Sequence, residues 1–98
     1  MAWTVIIEDE TGTSEKELPY NFTICAPRIL SSGEFKVLCY LDPYGNTTFN
    51  ALMFADLITD LKRLKEILPA DKPQIEDVLQ FVYQCQKEVH TYLKFYGD

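Results

Sequence analysis

The chain has 98 residues, 47% of them hydrophobic and 24% charged, with a formal net charge of −6. That is enough for one domain, residues 1–98, burying well over half of its unfolded surface, and it is too apolar for disorder. The negative balance holds in both halves and argues against a nucleic-acid partner, since the only basic cluster, Lys62, Arg63 and Lys65, is short and lies among acids.

Three cysteines, Cys25, Cys39 and Cys85, form no C-x-x-C pair, which disfavours a disulfide framework or zinc site and suits reduced thiols in a cytoplasm. The N-terminal apolar run is too short, and charged too early, for a signal peptide, and no stretch reaches membrane-spanning length. The sequons at Asn21 and Asn46 are therefore expected to be chance matches.

In chain order, Trp3, Val5 and Ile7 alternate with Thr4, Ile6 and Glu8, the period of a strand with one markedly more apolar face. The acidic stretch around Gly12, ending at Pro19, reads as an exposed loop or hairpin tip carrying Glu8, Asp9, Glu10, Glu15 and Glu17. Tyr20, Phe22, Ile24 and Ala26 mark a second expected strand. After the break at Pro27 and Ser31-Ser32-Gly33, the run from Phe35 to Leu41 is expected to be the most apolar strand, central in the sheet.

Asp42-Pro43-Tyr44-Gly45 fits a type I turn position by position, leading into a short returning strand over Asn46 to Phe49. Asn50 is a helix N-cap, and Phe49 and Phe54 have the spacing of a hydrophobic staple. A first helix follows from about Ala51 to Leu68, with its stripe at Met53, Phe54, Leu57, Leu61, Leu64 and Leu68, and Pro69 ends it. Asp71 and Gln74 supply the residue types of a capping box, so a second helix is expected from Lys72. Its stripe is read as Ile75, Val78, Leu79, Val82, Gln86, Val89 and Leu93, with Gly97 closing it.

Strands first and helices afterwards predict an α+β fold. An antiparallel sheet of three or four strands in the N-terminal half packs against a C-terminal antiparallel two-helix hairpin. No βαβ alternation, internal repeat or phosphate-cradling glycine motif occurs, and no cofactor is expected.

Chemistry has little to work with. His90 is the only histidine, and Cys85 would lie about 140° from it around the same helix, so they do not form a dyad. Hydrogen bonding at the helix–sheet seam is the expected role of His90. Asp56 and Asp60 share a helix face and could join Asp42 around a divalent metal. Pairing of Asp60 with neighbouring lysines, and a dipole contribution from Asp56 near the helix start, is the stronger reading, and no metal site is expected. Two surfaces remain as binding candidates. One is the acidic stretch, which can meet a basic cleft on a partner. The other is an aromatic set: Phe81, Tyr92 and Phe95 fall away from the centre of the second helix's stripe, and Tyr44 stands at a turn apex.

The segments "LDPYGNTTFN" and "EVHTYLKFYGD", with the early tryptophan and acidic run, resemble a family of small bacterial proteins without an assigned function. In size and acidity the chain is also similar to the immunity proteins of bacterial toxin systems. That likeness implies a cytoplasmic protein that blocks a toxin's active cleft, often basic, with acidic and aromatic side chains. Here the acids concentrate in one loop rather than along a helix. The alternatives are a self-associating structural or regulatory subunit, forming a homodimer through its aromatic helix, and a small hydrolase built on His90.

Overall fold

A computed structural model describes residues 2–97. The fold is α+β, as expected. Strands β1 (Trp3–Asp9), β2 (Ser14–Glu17), β3 (Asn46–Phe49) and β4 (Thr91–Gly97) form an antiparallel sheet in the order β2-β1-β4-β3. Helices α1 (Phe54–Ile67) and α2 (Lys72–Lys87) form the hairpin that covers one face. Among the described residues, no helix is long and apolar enough to cross a membrane.

The core lies between sheet and hairpin. β1 turns Trp3, Val5 and Ile7 inward, while Phe54, Leu57, Leu61 and Leu64 of α1 and Ile75, Val78, Leu79, Val82 and Cys85 of α2 close over them. Both helical stripes therefore act as their spacing predicts as far as Cys85. Asn50 caps the start of the first helical segment by accepting from Leu52 N–H at 3.0 Å, and a 3-10 turn over Ala51–Met53 leads into α1.

Beyond Cys85 the structure corrects the sequence reading. α2 stops at Lys87, Glu88 turns extended and His90 adopts φ 61°, so the last seven residues of the sheet, Thr91–Gly97, are a strand and not the end of a helix. The Thr91 hydroxyl donates to Cys85 O at 3.1 Å, satisfying a carbonyl that the interrupted helix leaves open. β4 then pairs with β1 along its whole length, from Trp3↔Gly97 to Asp9↔Thr91, and Thr91, Leu93 and Phe95 face the core. Val89 and Leu93 keep helical spacing from Val82, which is why a helix reads through. The composition Thr-Tyr-Leu-Lys-Phe-Tyr is a strand's. Gly97 does not cap a helix: a Cβ there would lie 2.5 Å from Asp42 O, so the close crossing of the Asp42-Pro43 backbone requires glycine.

Two expected strands are absent. The segment from Tyr20 to Ala26 touches the sheet at a single bridge, Trp3↔Phe22. Its next amides go elsewhere: Thr23 N–H donates to Gln74 Oε1 and Cys25 N–H to Asp71 Oδ2, both at 2.9 Å. Asp71 and Gln74, expected to cap α2, thus reach sideways to hold an irregular segment. The run from Phe35 to Leu41 is likewise no central strand. It bends through a 3-10 turn at Leu38–Tyr40, with the amides of Lys36, Val37 and Leu38 all donating to the Asp60 carboxylate at 3.1, 2.7 and 3.0 Å.

Candidate functional site

The acidic stretch does not act as one unit. β1 carries Glu8 on the sheet face opposite the helices, where it is only 5% exposed. It accepts a short hydrogen bond from the Tyr96 hydroxyl and pairs with Lys94 Nζ at 3.1 Å. Beside this carboxylate, both the Lys94 ammonium and the Tyr96 phenol titrate above their ordinary values. Glu8 is therefore committed within the fold and leaves the partner-binding set.

Asp9 builds the turn. Its Oδ1 accepts from Thr11 N–H at 2.9 Å, the Thr11 hydroxyl at 2.6 Å and Thr13 N–H at 3.0 Å, and Gly12 supplies the positive φ of 85°. Those bonds, led by the Thr11 hydroxyl, hold its carboxyl below the usual range. The turn presents Glu10, whose Oε2 lies 3.5 Å from His90 Nδ1. That is also the position of His90: an exposed turn between α2 and β4, not the helix–sheet seam.

Glu15 and Glu17 are exposed on β2. The Glu15 carboxyl is pushed up by partial desolvation, then by the carboxylates of Glu88 and Asp9 nearby. Glu88, at the end of α2, was not among the residues singled out from sequence, and Val89 was read as part of the helix's apolar stripe, which the structure corrects. Reading α2 through to Gly97 hid the first and misplaced the second. In the structure they stand on the connection to β4, with Val89 80% exposed. Leu52, 91% exposed, joins Glu88, Val89, His90 and Tyr92 around an open groove of about 400 Å³. One end of the molecule thus combines crowded carboxylates with unburied aliphatic side chains.

The expected aromatic face of α2 does not exist as a surface. Phe95 lies on β4, 0% exposed, its ring edge-on to Phe22 and Phe49 with centroids 6.1 and 5.6 Å away. Phe81 is buried on α2, with Lys16 Nζ 5.3 Å from its ring centroid. Tyr92 is half-buried on the outer sheet face beside Glu8. Only Tyr44 remains free, 82% exposed at the apex of the Asp42–Gly45 turn.

Phe81 and Lys16 also line a groove of about 540 Å³ between β2 and α2, together with Asp77, Gln84 and Lys87. Asp77 accepts a short hydrogen bond from the Tyr20 hydroxyl. Desolvation, reinforced by Asp77, raises the Tyr20 phenol to about 12 from 10.0. Because the folded value lies above the unfolded one, this contribution to stability is fully present below pH 10 and disappears as the pH rises towards 12. Absorbance titration of phenolate should show late-ionising tyrosines, Tyr96 among them, of which Tyr20→Phe removes one that ionises near pH 12. Loss of an early-ionising tyrosine instead would disprove the contact.

The groups considered for chemistry have separate partners. Cys85 is buried, and burial pushes its thiol up to about 11, leaving almost no thiolate near neutrality. Asp56 lies 3.6 Å from Lys36 Nζ, Asp60 is occupied by three amides, and Asp42 accepts from Tyr44 N–H at 2.9 Å. Asp60 pairs with backbone rather than with neighbouring lysines. Comparison with protein-family models, curated proteins and solved structures finds no match to this chain.

Proposed function

We propose that the chain is a stoichiometric protein-binding module that docks a basic partner on its acidic end. Its most concrete form is an immunity protein occluding the basic cleft of a toxin, the role its resemblance implies. The observation that carries this reading is the gathering of exposed Glu10, Glu15, Glu17 and Glu88 at one end of the molecule; desolvation first, and then the carboxylates of Glu88 and Asp9, raise the Glu15 carboxyl. Among the described residues, Glu15, Glu17 and Glu88 have no cationic side chain within ion-pair distance. A basic partner relieves that repulsion and is steered to it from a distance. Val89 supplies apolar contact beside the charges. Two exposed cysteines without disulfides suit action in a reducing cytoplasm.

The test is capture of partners from source-cell lysate on the tagged protein, eluted by stepping the salt, beside a Glu10→Gln/Glu15→Gln/Glu88→Gln variant. The expected result is one basic protein at equal stoichiometry, bound at least about tenfold more weakly by the variant and with a shallower salt dependence. A partner held equally by both proteins, or resistant to high salt, would overturn the acidic end as the interface.

A further inference from the structure

The two segments that stay out of the sheet share a cavity. Pro27–Ser31 and Leu38–Tyr40 each form a 3-10 turn, and together with Trp3, Leu41 and Pro43 they line an open cavity of about 250 Å³. Both turns are anchored from the helical hairpin. Asp71, just ahead of α2, accepts from Cys25 N–H, and Asp60 of α1 accepts from the amides of Lys36, Val37 and Leu38. Irregular backbone tied down by two buried carboxylates makes a positioned wall rather than a loose loop.

Pro27, Leu30, Leu41 and Pro43 make the lining mostly apolar, and its neutral polar side chains are spent on backbone carbonyls. Trp3 Nε1 donates to Asp42 O at 3.0 Å, the Ser31 hydroxyl to Arg28 O at 3.1 Å and the Cys39 thiol to Lys36 O at 3.7 Å. Arg28 is the exception. It is the one charged residue of the lining, and among the described residues no carboxylate lies within ion-pair distance of it. In a chain of net charge −6, that leaves a five-donor cation beside an apolar recess with no acid assigned to it.

A planar guanidinium matches a carboxylate through two parallel bonds, and an apolar body attached to that carboxylate fills the recess. Size narrows the body. A cavity of about 150 Å³ takes benzene, so one of about 250 Å³ takes a single ring with a short carboxylated side chain.

We infer that this cavity binds a small aryl carboxylate, its ring against Pro27, Leu30, Leu41 and Pro43 and its carboxylate paired with Arg28. None of these residues belongs to the acidic end, so this inference and the partner-docking reading stand or fall separately.

Cys39 lets the site report on itself. Cys25 and Cys39 are exposed and Cys85 is buried, so iodoacetamide labels the first two, and Cys25 lies outside the lining. Phenylacetate is the probe, with phenylacetamide as its uncharged counterpart. Saturating phenylacetate should slow labelling of Cys39 several-fold and leave Cys25 unchanged, as read by peptide mass spectrometry. Titration calorimetry should give one site per chain. Arg28→Gln lies at an exposed position and leaves the fold intact. It should raise the phenylacetate dissociation constant about tenfold or more and abolish the preference over phenylacetamide. Failure of phenylacetate to protect Cys39, equal binding of phenylacetamide, or unchanged affinity in Arg28→Gln would each overturn the inference.

Discussion

Asp60→Ala is expected to cost about 4.5 kcal/mol of folding stability, from loss of three charge-assisted bonds at roughly 1.5 kcal/mol each. The carboxylate is 2% exposed and receives the amides of Lys36, Val37 and Leu38, so its removal leaves three donors facing a space that water enters poorly. Arg63–Glu34 and Lys36–Asp56 also tie this segment to α1, but those pairs are exposed and contribute little. Asp60→Asn keeps the shape and one acceptor oxygen, and should lose about half as much. Urea unfolding midpoints measure both. If Asp60→Ala cost less than about 1 kcal/mol, the carboxylate would not be what holds the Phe35–Leu41 segment.

Phe95→Ala should be comparably damaging, at about 3–5 kcal/mol, because the ring lies fully buried between Phe22 and Phe49 on a central strand. Tyr44→Ala, by contrast, should stay within about 0.5 kcal/mol of the parent. The pair of variants separates two roles that aromatic composition alone leaves mixed. A Phe95→Ala protein with unchanged stability would return Phe95 to the surface and reinstate an aromatic helix face.

What could be read from sequence divides along physical lines. The Asp42–Gly45 turn, β3, the Asn50 cap, α1 and the start of α2 all declare themselves through residues within a few positions of one another. Turns and caps are local hydrogen-bonding problems, so their signals are local. The strands expected at Tyr20–Ala26 and Phe35–Leu41 failed for the opposite reason. Their amides are satisfied by Asp71, Gln74 and Asp60, side chains 22 to 51 positions away along the chain, and no pattern within the segments announces that. β4 was hidden by coincidence, since Val89 and Leu93 continue the spacing of α2 while Thr91, Leu93 and Phe95 also alternate as a strand. Composition was the better guide there. The same misreading dispersed the aromatic candidates, concealed Glu88 and assigned Val89 to a buried stripe. Glu10, Glu15, Glu17 and Tyr44 remain as exposed as their neighbours in sequence suggested.

The pairing of β1 with β4 has a bearing on synthesis. On the ribosome, Trp3, Val5 and Ile7 emerge before both helices, yet the central strand that completes their side of the sheet, ending at Gly97, is made after them. Until then β2 alone offers β1 a ladder, and only over Ile6 to Glu8. Folding must close a loop spanning nearly the whole chain before its longest ladder can form, which favours slow, late and all-or-none consolidation. The nascent apolar strand travels meanwhile beside a run of acids, whose mutual repulsion discourages neighbouring chains from pairing with it.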